Sequence, residues 1–219
     1  MQAKFSITCC KCNRLVKFLD EVKAGYPSYH ARPVPAFGDI APKLLIIGLA
    51  PGMHGANRTG RPFTGDFAGI LLYRILYKFG FSSCEESVST TDNLQLIGCR
   101  ITNAVKCLPP GNKPEPNEIR NCNGYLSAEI KSFAAGEGRA LLALGTVAHR
   151  AGLMALGLKP KAYPFGHGFI HTLPNNLILY DSYHCSRYNT QTKRLTARMF
   201  EQVFEKICAN LALHIKTKG

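Results

Sequence analysis

The stretch KLLIIGLAPGMHGANRTGRPFTGD, Lys43 to Asp66, decides the fold. Its first part, Lys43-Leu44-Leu45-Ile46-Ile47, is a short apolar, β-branched run of the kind found in a strand buried on both faces. Beyond Asp66, residues 67–79 carry apolar side chains at helical spacing and stop at Gly80, so the unit reads strand, loop, helix. A loop that only connects a strand to a helix has about two to six residues. This one is far longer and carries His54, Asn57, Arg58, Thr59, Arg61, Thr64 and Asp66. In open α/β sheets such loops form the ligand crevice beyond the carboxyl ends of the strands, so the stretch is expected to build a pocket.

Outward from this unit the alternation continues. Strands are predicted at about 43–49, 100–105, 140–144 and 177–181, and helices at 67–79, 117–133 and 146–155, the second opening on the start signals Pro116 and Glu118. Leu195, Met199, Val203 and Ile207 recur every four residues, with Phe200 and Phe204 alongside, as a core-facing stripe. Strands that alternate with helices predict an α/β fold, a three-layer α/β/α sandwich around a central four-stranded parallel sheet. A chain of 219 residues, 46% hydrophobic, without repeats or low-complexity linkers, is expected to form one domain over 1–219.

Lys and Arg number 27 against 14 Asp and Glu, a formal charge of +13 that favours a polyanionic partner. Arg58, Arg61, Lys106, Lys113, Arg187, Lys193 and Arg194 sit in or beside the polar loops, which points to nucleic acid. Met1 to Thr8 has no apolar signal-peptide core and no run is long enough to span a bilayer, so a soluble, cytoplasmic protein with no membrane partner is expected. Disulfides are not normally maintained there, so the nine cysteines call for an explanation. Cys9 and Cys12 have ligand spacing, and Cys107 and Cys122 flank a proline-rich loop that can bring them together. Spacing alone leaves zinc and a [4Fe-4S] cluster both open, and leaves Cys10 as a rival to Cys9. Cys84, Cys99, Cys185 and Cys208 read as ordinary thiols.

The phrase GLAPGMHGANRTGRPFTGD resembles motif 1 of the uracil-DNA glycosylase superfamily, and is similar to its iron-sulfur branch called family 5, or type B. Four further pieces follow in that family's order: Cys9-x-x-Cys12 with Asn13-Arg14-Leu15-Val16, Ile101 to Cys107 running into Pro109 to Pro114, Cys122, and Ser182 to Asn189. The resemblance implies the same α/β/α fold and a monofunctional, monomeric DNA-repair enzyme. Such an enzyme flips uracil, and other deaminated bases such as hypoxanthine, out of DNA and hydrolyses the N-glycosidic bond to leave an abasic site. It also implies a [4Fe-4S] cluster on Cys9, Cys12, Cys107 and Cys122, with the N-terminal segment, about 1–35, supplying the first two.

That chemistry needs a ring to stack on the flipped base, an amide to read the uracil edge, and a donor to the oxygen that gains charge as the base departs. By the resemblance these are Phe63, Asn103 and His184, with Gly48, Ala50, Gly52 and His54 lining the base pocket. Most of the superfamily has Asp, Asn or Glu where this chain has Leu49, and the resemblance transfers the water-orienting, cation-facing role to Asp66. Asp66 also reads as the N-cap of the helix that follows. In motif 2, Cys185 stands where the family commonly has proline, which puts the loop path in question. Arg187 and Tyr188 fall at the wedge that enters the base stack, and Ser186, Asn189, Arg58 and Arg61 complete the expected DNA contacts. Two alternatives stay open: iron-sulfur family 4, which carries Glu at the Leu49 position and lacks the Asp66 aspartate, and a non-catalytic, metal-containing module that recognises damaged bases, which Leu49 keeps alive.

Overall fold

A computed structural model describes residues 5–211; the start of the Met1 to Thr8 segment and the chain end at 219 lie outside the described residues. In chain order the elements are α1 (Asn13–Gly25), β1 (Phe37–Gly38), β2 (Leu44–Gly48), α2 (Ala56–Thr59), α3 (Phe67–Lys78), β3 (Cys99–Asn103), α4 (Pro116–Ala135), β4 (Ala140–Leu144), α5 (Thr146–Ala155), β5 (Ile170–Thr172), β6 (Ile178–Ser182), α6 (Arg187–Gln191) and α7 (Ala197–Asn210). The four predicted strands are β2, β3, β4 and β6, and they run parallel. The sheet nevertheless has six strands, in the order β1-β3-β2-β4-β6-β5, because two short strands pair antiparallel at its two ends.

The unbroken apolar run of β2 is explained by its two covered faces. Leu44 and Ile46 enter one buried cluster with Leu72 and Ile75 of α3 and Phe200, Val203 and Phe204 of α7. Leu45 and Ile47 enter a second with Leu126 and Ile130 of α4 and Ala148 and Ala151 of α5. Successive strand residues point to opposite faces, so each cluster takes every second residue and the three layers follow. The predicted stripe Leu195, Val203, Ile207 is buried in the first cluster, with Met199 packed against it.

α4 opens as the sequence signals: Pro116 is its first residue, and the Glu118 carboxylate accepts the backbone N–H of Glu115 at 2.7 Å. α1 was not among the predicted helices. It packs Leu15, Leu19 and Val22 against Val105, Leu108 and Tyr125, forming a third cluster beside the sheet. Among the described residues no helix is long and apolar enough to cross a membrane. The register pairs Gly48 with Asn103, and Leu144 with Ser182, which brings the loops after β2, β3 and β6 to one level.

Candidate active site

At that level lies a cleft of about 420 Å³, lined among others by Leu49, Ala50, Gly52, Phe63, Asp66, Asn103, His184, Ser186 and Arg187. The three groups expected to act on a base therefore share one cavity, although they lie about 40 residues or more apart in sequence. Phe63 holds φ = 53°, a conformation rare for an aromatic residue, and its ring stacks on the His184 imidazole with centroids 5.7 Å apart. Asn103 is only 3% exposed, and its Oδ1 has no hydrogen-bond partner. A buried acceptor left unpaired costs about 1–3 kcal/mol.

Gly48 makes this arrangement possible. A Cβ there would strike Asn103 Oδ1 and lie 2.8 Å from the Phe63 ring. Gly48→Ala is expected to lower stability by about 1–3 kcal/mol through overpacking, read as a lower thermal midpoint. An unchanged midpoint would mean that the Asn103 amide and the Phe63 ring move aside at no cost.

Asp66 has two faces. Oδ1 accepts the Gly69 N–H at 2.9 Å as the N-cap of α3, while Oδ2 lies against the loop backbone, 3.5 Å from where a Cβ on Gly52 would sit and in the path of one on Gly55. Burial raises its pKa, and the N–H groups of Gly69 and Ala68 pull the other way. Burial pushes the His184 pKa down to about 4, so near pH 7 the ring is a neutral imidazole with one N–H to donate.

The loop after β6 is held without its proline. Cys185 is fully buried in the cluster that also takes Phe63, Leu195 and Phe200, and burial raises its thiol pKa. Asn189 Nδ2 donates to the His184 carbonyl at 2.8 Å, and Ser186 Oγ caps α6 by accepting the Asn189 N–H. An apolar anchor and a side-chain tether thus fix the backbone that carries His184.

Several expected site residues sit elsewhere. Arg61 is buried, and its guanidinium donates to Asp92 Oδ1 at 2.9 Å, Ser87 Oγ at 2.7 Å and Thr64 Oγ1 at 2.9 Å, so it braces the loop instead of meeting phosphate. Lys106 is likewise buried, donating to Glu129 at 2.9 Å and to Thr102. His54 is exposed and hydrogen-bonded through Nδ1 to the Tyr29 hydroxyl at 2.8 Å, outside the cleft lining. The half-buried Asn189 amide donates to the His184 carbonyl and so helps position that loop. Arg58 is half-buried, donating from Nε to the His54 carbonyl at 2.7 Å. Arg187 and Tyr188 project from α6, Tyr188 at 70% exposure. Asn112 also lines the cleft; it lies in the quoted proline-rich segment, with φ = 56° marking a tight turn, and sequence reasoning gave it no role.

Cys9, Cys12, Cys107 and Cys122 line one cavity together with Leu15, Val16, Val105 and Tyr125. The Lys106 backbone N–H donates to Cys122 Sγ at 3.2 Å, and burial pushes the Cys107 thiol up to about 12. Among the described residues the three-ligand grouping with all ligand atoms within 4.8 Å is His149, His171 and Asp181, so no three of these sulfurs come that close. Four thiols on one cavity are a donor set that suits a zinc or iron-sulfur centre. Cys10 is exposed and does not line this cavity.

The sequence model of the Uracil DNA glycosylase superfamily matches residues 35–208. The chain is 47% identical over 205 residues to a type-5 uracil-DNA glycosylase of Thermus thermophilus, covering 90% of this chain and 92% of that one. It is 39% identical over 208 residues to a type-5 uracil-DNA glycosylase of Pyrobaculum aerophilum, 93% and 89% of the two chains. With a type-4 uracil-DNA glycosylase of Pyrobaculum aerophilum it shares 32% identity over 152 residues, 69% and 67%. With a mixed sheet whose four central strands are parallel and deliver loops to one cleft, and a match across most of its length, the chain belongs to the uracil-DNA glycosylase superfamily.

Proposed function

We propose that the protein is a monofunctional uracil-DNA glycosylase of the type-5 kind, working on DNA as a single domain and a monomer in the cytoplasm. The observation that carries this reading is the buried, unpartnered Oδ1 of Asn103 beside the ring of Phe63. A uracil flipped against Phe63 presents an N3–H donor and an O4 acceptor, and an Asn amide matches that pair with Oδ1 and Nδ2. The base would supply the hydrogen bond that the free protein lacks.

In the reaction the bond between C1′ and N1 breaks with its electron pair leaving on uracil. The neutral imidazole of His184 donates its N–H to the uracil oxygen that gains charge. The Asp66 carboxylate faces the sugar cation and holds the water whose oxygen joins C1′; the proton released from that water passes to the carboxylate. Ser186, Arg187, Tyr188 and Arg58 face the DNA, with Arg187 and Tyr188 at the stack. A [4Fe-4S] cluster on Cys9, Cys12, Cys107 and Cys122 supplies structural support and no redox turnover; the chain's own part is to bring α1 and the segments carrying Cys107 and Cys122 to one cavity. Deaminated bases that share the uracil edge, hypoxanthine among them, are further substrates.

The direct test is to incubate the protein with oligonucleotides bearing uracil, hypoxanthine, xanthine or no lesion, and to measure alkali-labile abasic sites. Release from uracil-DNA is the expected result. Tight binding without release would make the chain a recognition module.

The pH dependence follows from the two shifts. The working form needs Asp66 ionised, and burial raises its pKa above the ordinary 3.8, so single-turnover rate should fall as pH drops through that raised value. His184, at about 4, stays neutral through the range from 5 to 8 and should add no break near 6.5. A break near 6.5 that persists in Asp66→Asn would assign the acid limb to histidine instead.

A further inference from the structure

His149 on α5, His171 on β5 and Asp181 on β6 form a second polar cluster, and none of the three lines the cleft. His149 and Asp181 are fully buried, and the His171 side chain is 12% exposed. His149 Nδ1 lies 2.7 Å from Asp181 Oδ1, His171 Nε2 lies 3.4 Å from Asp181 Oδ2, and all ligand atoms fall within 4.8 Å of one another.

Hydrogen-bond accounting exposes a deficit here. The other nitrogen of His149, Nε2, is 2.8 Å from the Tyr163 carbonyl, which can only accept, so Nε2 must carry the proton of a neutral ring. Nδ1 then turns a lone pair toward a carboxylate, two acceptors 2.7 Å apart. A proton, on the ring or on the carboxyl, or a metal ion has to lie between them. His171 Nε2 is buried and makes no hydrogen bond, its contact with Asp181 Oδ2 being 3.4 Å long, so a proton between His149 and Asp181 leaves it unsatisfied, whereas a metal ion uses it. Asp181 lies against these two imidazoles, accepts the Gly166 N–H at 3.4 Å, and among the described residues is ion-paired to no Lys or Arg.

Arms of about 2.0–2.2 Å in a tetrahedron place ligand atoms about 3.4 Å apart. The His171–Asp181 separation matches that spacing, and the His149–Asp181 pair at 2.7 Å has to open by roughly 0.7 Å to admit an ion. Two imidazoles and one carboxylate are the donors of zinc-class transition ions, whereas magnesium and calcium want oxygen throughout. Phe165 and Tyr163 wall the cluster, their rings 5.6 Å from His149 and 5.8 Å from His171, and the exposed edge of His171 leaves a way in.

We propose that His149 Nδ1, His171 Nε2 and the Asp181 carboxylate hold a divalent transition-metal ion, zinc by the donor set, which ties β5 and α5 to β6, the strand that leads into His184. The site is distinct from the cysteine cavity and structural in role.

The test uses whole protein purified without oxygen, its iron counted, then equilibrated with zinc and freed of loose metal. Wild type should retain a stoichiometric zinc over and above its iron, and its thermal midpoint should rise with added zinc. His171→Ala should lose both responses. Cobalt substitution should give visible bands without a thiolate-to-cobalt band in wild type, and His171→Cys should bind cobalt and gain that band. Absence of retained zinc and of a midpoint shift in wild type would overturn the proposal and leave a proton shared between His149 and Asp181. A thiolate band in wild type would overturn it too, by placing the ion on cysteines. So would His171→Ala that keeps its zinc, or His171→Cys that binds cobalt without the band.

Discussion

Asp66→Asn should release uracil from DNA at least about 10²-fold more slowly in single turnover, with duplex affinity and thermal midpoint little changed. Loss of a positioned base or charge stabiliser costs on the order of 10²- to 10⁴-fold in rate, whereas loss of a helix cap costs only about 1 kcal/mol of stability. Asn keeps an oxygen that can accept the Gly69 N–H, so the cap survives while the charge against Gly52 and Gly55 is lost. His184→Ala should also slow the chemistry through the lost donor to the departing base. If Asp66→Asn cleaves at near wild-type rate while His184→Ala does not, the carboxylate is only a cap and leaving-group stabilisation carries the reaction.

The second large effect is on the cysteine cavity. Protein purified without oxygen should be brown, and Cys107→Ala should bleach it, strip its iron and impair folding. Cys107 and Cys122 pack in the same cluster as Leu15, Leu19 and Val22 of α1, so the loss should exceed the about 2–5 kcal/mol of a single large-to-small core truncation. Iron content and thermal unfolding check it. Full iron and an unchanged midpoint in Cys107→Ala would remove that residue from the ligand set, and zinc in place of iron would remove the cluster.

The parts of the fold legible in the sequence were those whose pattern is long or two-sided. β2 and β4 show as apolar runs because both faces are covered, and α3, α4 and α5 carry helical spacing with stop or start signals. β1, two residues, and β5, three, are too short for any periodicity; β1 pairs with β3, far on in sequence, whereas β5 pairs with the next strand, β6. α1 had its signal in Leu15, Leu19 and Val22, hidden beside the more conspicuous cysteines. In the site, Phe63, Asp66, Asn103 and His184 converge as expected, because strand ends fix where their loops emerge. The misplaced residues were those whose role depends on a remote partner. Nothing near Arg61 announces Asp92, 31 residues on, and nothing near Lys106 announces Glu129. A basic residue in a polar loop reads as a phosphate ligand until its counter-ion is seen.

The two short outer strands have a further consequence. An open parallel sheet would otherwise end in β3 and β6, each five residues long and each with a row of unpaired peptide groups ready to template another chain. β1 and β5 occupy those rows in the opposite direction and offer only two and three residues in turn, too little for a neighbour to extend. Edge-to-edge aggregation is thereby blunted at both margins, which suits a protein that must remain dispersed while it searches long stretches of a polyanion.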